Sequence, residues 1–191
     1  GLPEDDWTAF NLAPADGIAL LERWRAWSAA SSPSERLRWR ERIDRERVES
    51  LGLSAFFERH PTLSPPLVFA PSTAHYSWSK GVKMLGIGRD RLRLIPGRAM
   101  RLDIDALSEA LDDCVRTRRP VLMAVGVFGS TEFGTIDPLD ALADLRERMR
   151  ARGLGFALHA DAAWGGYLCT LFRSEDGALR DADAVGREFA R

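Results

Sequence analysis

Between residues 67 and 161 the chain alternates short apolar runs with longer segments of helical periodicity, and few folds accept that alternation. Leu67–Ala70, Arg91–Ile95, Val121–Phe128 and Phe156–His159 read as strands. Between them, His75–Leu85 reads as a helix. A second helix starts at Asp103, with Leu107, Ala110, Leu111 and Val115 on one face, and a third carries Leu139, Leu142, Leu145 and Met149. Asp103 or Asp105 is the expected cap of the second helix. Pro138 is the expected first residue of the third, and Gly153 its terminator. Val121–Phe128 is almost continuously apolar, as a strand buried on both faces must be. The order β-α-β-α-β-α-β predicts an α/β fold, a mostly parallel sheet with helices on both faces and right-handed crossovers.

The first sixty residues read differently. Ile18, Leu20, Leu21, Trp24 and Trp27 recur at helical spacing after Asp16, the expected N-cap. Ala29–Ser34 breaks the pattern. From Glu35 a second helix is expected, with Leu37, Ile43, Val48 and Leu51 as its apolar stripe and a Glu41–Arg45 pair across one turn. Its arginines suggest an acidic partner, but Glu35, Glu41, Asp44, Glu46 and Glu49 interleave with them, which favours a solvated face. The expected division is a helical segment over 1–60 and a sheet-bearing part over 61–191.

Composition removes several function classes. With 27 basic and 28 acidic residues the formal net charge is −1, so no global field draws the chain to nucleic acid or membrane. No apolar run approaches the roughly 20 residues that span a bilayer. Cys114 and Cys169 are far apart and in no metal-ligand spacing. With no signal peptide in view, they read as reduced thiols of a cytoplasmic protein without a metal site.

In open parallel sheets, ligands bind beyond the carboxyl ends of the strands. The loops to examine are therefore Ser72–His75, Gly129–Gly134 and Ala160–Gly166. Asp161 follows a strand and precedes Ala162, Ala163, Trp164, Gly165 and Gly166. A carboxylate among small residues suits a flat ligand lying against backbone, although a capping Asp in an ordinary loop would look the same. His75 stands near a helix start, as a ligand contact or a cap. Ser130 and Thr131 could hold a ligand oxygen or simply form a turn.

Three ordered segments carry a resemblance. His159-Ala-Asp-Ala-Ala-Trp-Gly-Gly166 resembles the signature loop of the group II pyridoxal-phosphate-dependent amino-acid decarboxylases. Ala74-His75-Tyr76-Ser77 with Lys80 is similar to that family's His-Tyr-Ser segment. Gly129-Ser130-Thr131, Gly134 and Asp137-Pro138-Leu139 are similar to its Gly-Thr-Thr…Gly…Asp-Pro-Leu segment. The resemblance covers about residues 64–173. It implies a fold type I large domain, pyridoxal 5'-phosphate (PLP) as cofactor, an amino acid as substrate and a homodimer. It implies that Asp161 binds the pyridine nitrogen, that His75 stacks on the ring and joins in proton transfer, and that Ala163 packs on the other ring face. Thr131, with Ser130 beside it, would lie near the ring oxygen. His159 and Trp164 would be structural, with His159 packed within the sheet.

The chain departs from the family in two ways. No lysine follows Asp161, and Lys80 and Lys83, on the helix after His75, read as solvated surface residues. The family's glycine-rich phosphate segment before His75 is also missing. The expectation is a fragment of a longer enzyme, inactive alone. The alternatives are an inactive scaffold of the same fold and another fold type I lyase.

Overall fold

The computed structural model describes residues 5–189, so the first four residues of the expected helical segment and the last two of the sheet-bearing part lie outside the described residues. Four helices come first: α1 (Asp6–Phe10), α2 (Pro14–Ala30), α3 (Pro33–Asp44) and α4 (Val48–Arg59). The Asp5 carboxylate accepts the Thr8 N–H at 2.7 Å and starts α1. A reciprocal capping box between Ser32 and Glu35 starts α3. Ala13, not Asp16, is the N-cap of α2, and Asp16 lies in its first turn, where a carboxylate meets the positive helix end.

The single helix expected from Glu35 is two helices. The chain turns at Arg45–Arg47, and α4 itself kinks at Gly52, whose φ is +76°. The expected stripe packs little, with Leu37 59%, Ile43 38% and Val48 37% exposed. In place of the Glu41–Arg45 pair, Arg47 bridges Asp44 and Glu49. Trp24, Trp27 and Trp39 cluster on this helical segment, while Trp7 packs against the sheet's core.

The four expected strands follow, with one hairpin that the sequence reading did not include: β1 (Leu67–Pro71), β2 (Leu92–Ile95), a separate two-stranded antiparallel hairpin of β3 (Gly97–Arg98) and β4 (Arg101–Leu102), then β5 (Val121–Val127) and β6 (Ala157–Asp161). The four longer strands are parallel in the order β2-β1-β5-β6. The almost continuously apolar β5 is central. Helices α5 (Ser77–Met84), α6 (Ile104–Arg116), α7 (Leu139–Ala151) and α8 (Ala182–Phe189), with 3-10 turns at Arg89–Arg91 and Gly165–Phe172, complete the described elements.

Alternation along each strand divides the packing. Leu67, Phe69 and Ala124 form one core with Leu107 and Leu111 of α6 and Leu142, Leu145 and Met149 of α7. Each such side chain contributes about 1.5–3 kcal/mol by leaving water. Val68 and its partner Met123 face the other way, toward Val82 of α5, and a register shift in the β1–β5 pairing puts Leu122 on that side too. That second face is partly open, since Leu122 is 39% exposed and borders a cavity.

Most element ends shift by a residue or two from expectation, and three of these shifts bear on the site. Helix α5 starts at Ser77, so His75 stands outside it; Pro138 is the N-cap of α7, not its first residue; and Asp161 ends β6 rather than following it. Asp103 caps α6 through the N–H groups of Asp105 and Ala106, and Gly153 follows α7 at φ +80°, both as expected.

The strand order places a topological switch between β1 and β5. The chain leaves β1 for β2 on one side, then crosses to β5 and β6 on the other. A crevice opens there, at the carboxyl ends.

Both cysteines are free, Cys114 buried on α6 and Cys169 exposed. Burial pushes the Cys114 thiol up to about 11, and Asp113 adds to that. A thiol reagent at neutral pH is therefore expected to label Cys169 quickly and Cys114 only on unfolding. Between pH 9 and about 11 the unfolded chain releases this proton before the folded chain does. Stability carried by Cys114 is thus complete below that window and lost across it. Equal labelling rates for the two thiols in the folded protein would contradict the packing of α6.

Candidate functional site

The crevice is a cleft of about 150 Å³ lined by Thr73, His75, Ser77, Val127, Gly129, Ser130, Thr131, Asp161, Ala163 and Trp164. The five residues singled out from sequence, His75, Ser130, Thr131, Asp161 and Ala163, all line it. They come from the loops after β1 and β5 and from the end of β6 with its following loop.

Two glycines bring the second and third loops together. Gly129, at φ +87°, packs its backbone on that of Gly165, and the Gly165 N–H donates to the Phe128 carbonyl at 3.0 Å. A Cβ on Gly165 would lie 2.2 Å from that carbonyl oxygen, and one on Gly129 would lie 2.8 Å from Gly165 Cα. Asp137 fixes the second loop from below. It is buried, its Oδ1 accepts the Leu102 N–H and its Oδ2 accepts the Val127 N–H, both at 2.7 Å. One carboxylate thus ties the β3–β4 hairpin to the end of β5.

The Asp161 carboxylate has two protein partners. Trp78 Nε1–H donates to Oδ2 at 2.9 Å, and the Ala163 N–H reaches Oδ1 at 3.4 Å. A carboxylate accepts at about four lone-pair positions, so acceptor capacity remains for a ligand. His75 Nδ1 accepts the Ser77 N–H at 3.3 Å, and its ring lies 4.0 Å from that of Tyr76. His75 therefore both lines the cleft and tethers the start of α5.

Ser130 and Thr131 divide the two readings between them. The Thr135 hydroxyl donates to the Met100 carbonyl at 2.7 Å, which leaves Ser130 as the donor in its 2.8 Å bond to Thr135 Oγ1. Ser130 is buried, and its hydroxyl closes the turn. Thr131 is exposed at the cleft.

His159 is exposed on β6 rather than packed within the sheet, and its ring meets Trp78 edge-on at 5.2 Å. Lys80 lies over the Tyr76 ring at 4.4 Å, and neither lysine lines the cleft. Sequence reasoning placed Thr73 in the first loop without a role, held Ser77 and Asp137 only as parts of motif segments, and missed Trp78 altogether. Ser77 was visible as the last residue of the His-Tyr-Ser segment. The bond from Trp78 to Asp161 spans 83 residues and leaves no local signal.

Chemically, the cleft offers one carboxylate, an imidazole, the Ala163 methyl group and the hydroxyls of Thr73, Ser77, Ser130 and Thr131. Among the described residues lining it there is no Lys or Arg. That set suits a flat, nitrogen-bearing aromatic ring, with the carboxylate accepting from an N–H of the ring.

Residues 54–188 match the family model described as the pyridoxal-dependent decarboxylase conserved domain. The chain is 32% identical to an L-tyrosine decarboxylase of Levilactobacillus brevis over 174 residues, 91% of this chain and 25% of that protein. It is 39% identical to a probable L-aspartate decarboxylase of Haloarcula marismortui over 102 residues, 53% of this chain and 25% of that protein. A crystal structure of Oryza sativa TDC with PLP and tryptamine aligns with TM-score 0.51 and 25% identity, covering 59% of this chain and 24% of that one. The chain spans about a quarter or less of the length of the curated relatives it matches.

Proposed function

We propose, since this chain belongs to the pyridoxal-dependent decarboxylase family, that it supplies the ring-binding wall of a pyridoxal-phosphate site in an amino-acid decarboxylase. The observation that carries the proposal is the convergence of His75, Thr131, Asp161 and Ala163 from three separate stretches of the chain on one cleft. The residues fit the cofactor's ring. Asp161 would accept from the pyridinium N–H, a charge-assisted bond of the stronger kind. His75 would lie on one ring face and Ala163 on the other, where only a small side chain leaves room for the ring. Thr131 would bond the ring oxygen, with Ser130 fixing the turn that presents it. Among the described residues no Lys or Arg side chain lines the cleft, so a phosphate group would rely on backbone N–H and hydroxyl donors.

Bound there, pyridoxal phosphate supplies an electron sink for the pair released when the substrate's Cα–carboxylate bond breaks. The chain's own part is to keep the ring nitrogen protonated at Asp161 and to hold the ring flat. Nδ1 of His75 is engaged by Ser77, which leaves Nε2 as the nitrogen available for proton transfer.

Several further points belong to the same proposal. The substrate is an amino acid, and three relatives named L-tyrosine decarboxylases support testing tyrosine first. A homodimer is supported by the apolar residues left exposed at the end of α5, Met84 and Leu85, and on β5, Leu122. A cytoplasmic setting is supported by two free cysteines. Among the described residues no helix is long and apolar enough to cross a membrane. The division near residue 60 also stands as part of this reading.

The test uses the natural protein at its full length, loaded with pyridoxal phosphate and offered L-tyrosine, L-aspartate and L-glutamate in turn. CO2 release from at least one is expected. His75→Ala is expected to shift the bound cofactor's absorbance and slow that release by about a hundredfold. No release from any amino acid leaves the scaffold reading. An unchanged spectrum and rate in the variant leaves His75 only its bond to Ser77.

A further inference from the structure

We propose that Trp78 is the positioning residue of Asp161: its indole N–H fixes the carboxylate so that the remaining oxygen capacity faces the ring nitrogen. The inference rests on the reading of Asp161 as the ring-nitrogen partner. Trp78 sits on α5 and Asp161 at the end of β6, 83 residues apart, yet Nε1 and Oδ2 are 2.9 Å from each other. Trp78 takes this position from outside the cleft. Its ring borders a second cavity with Val68, Val82 and Leu122, whereas Asp161 lines the cleft itself. The donor therefore holds the carboxylate without occupying ligand space.

The chemistry favours an indole here. It donates one hydrogen bond, accepts none and does not titrate in the working range of an enzyme. It cannot take the proton that the ring nitrogen must keep. The other protein partner, the Ala163 N–H, lies at 3.4 Å and orients the group weakly. A carboxylate with that partner alone turns about its terminal torsion, whereas recognition of a ring nitrogen needs placement within about 0.5 Å. His159 meets the Trp78 ring edge-on at 5.2 Å and 73°, and so braces the ring that holds Asp161. This gives the first residue of the His159-Ala-Asp segment a place in the site at one remove.

The test compares two affinities of the full-length protein: for pyridoxal phosphate, and for its analogue with C–H in place of the ring nitrogen. Their ratio reads the nitrogen contact alone. Trp78→Phe keeps an aromatic ring and removes the donor. The ratio is expected to fall about tenfold, with a changed absorbance of the bound cofactor and little change in the melting temperature of the cofactor-free protein. A ratio unmoved by Trp78→Phe but collapsed by Asp161→Asn overturns the role of Trp78 and leaves that of Asp161. A ratio that Asp161→Asn does not move overturns the reading of Asp161 and this inference with it. If Trp78→Phe does not fold, benzothienylalanine at position 78 gives the same comparison. It keeps the size of the indole and lacks its N–H, and an unmoved ratio there counts against Trp78 in the same way.

Discussion

Asp161→Ala in the full-length protein is expected to cut amino-acid decarboxylation by about three orders of magnitude and to weaken pyridoxal-phosphate binding. The size of the effect follows from the chemistry assigned to the carboxylate. Electron withdrawal by the ring depends on a proton on its nitrogen, and Asp161 is the one carboxylate among the residues lining the cleft. Truncation removes the charge and also leaves the Trp78 N–H without its acceptor. Asp161→Asn separates these effects. The amide oxygen can still accept from Trp78, so shape and hydrogen bond stay while the negative charge goes. A loss of similar size in both variants assigns the effect to charge. Turnover within tenfold of the natural protein in either variant would remove Asp161 from the chemistry. Steady-state CO2 release and the spectrum of the bound cofactor are the measurements.

Why Asp161 could be found from sequence, and Trp78 could not, has a physical explanation. A parallel strand buried on both faces must be almost continuously apolar, so the end of such a run marks the carboxyl edge of the sheet. Ligand contacts gather beyond that edge, which points to the loops carrying His75, Thr131, Asp161 and Ala163 without coordinates, and the family resemblance singles out those residues within them. Small residues after Asp161 added the suggestion of a flat ligand. Trp78 answers to nothing local. Its donor has an acceptor 83 residues away, and only the juxtaposition of α5 with the end of β6 reveals it. Asp137 shows the same limit, since its partners are backbone N–H groups of Leu102 and Val127 on two different strands. Ser130 was ambiguous for a different reason. A hydroxyl serves a ligand or a turn equally well, and Thr135, five residues on, decides for the turn.

The N-terminal helices were harder to delimit because little of their surface is buried. Helix ends are legible where Gly or Pro punctuates them or where an apolar stripe stops. Between Asp44 and Val48 the chain turns through Arg45, Glu46 and Arg47, with neither signal. Leu37, Ile43 and Val48 are largely exposed, so their spacing carried no packing constraint. Where packing does constrain, as for Leu107 and Leu111 on α6 or Leu142 and Leu145 on α7, periodicity and structure agree.

Gly165→Ala is expected to damage fold and site together, and Gly166→Ala to damage neither. The two glycines are neighbours in sequence and differ in what a methyl group would meet. At Gly165 the added Cβ would lie 2.2 Å from the Phe128 carbonyl oxygen and 2.7 Å from its carbon. Those are backbone atoms of the segment leaving β5, so no side-chain rotation relieves the overlap. The loops must part, which breaks the 3.0 Å bond from the Gly165 N–H to that carbonyl. At Gly166 the methyl would meet only the Ala162 Cβ, at 3.4 Å. Overpacking of a buried position combined with loss of a backbone bond is expected to cost about 3 kcal/mol or more. Chemical denaturation of the full-length protein measures that cost. Parting the loops also moves Thr131 away from Asp161 and Ala163, so pyridoxal-phosphate affinity should fall in Gly165→Ala even where the protein remains folded. Equal stability and cofactor affinity in the two variants would mean that the loops after β5 and β6 are not held together at this point, and that the cleft depends on some other contact for its shape.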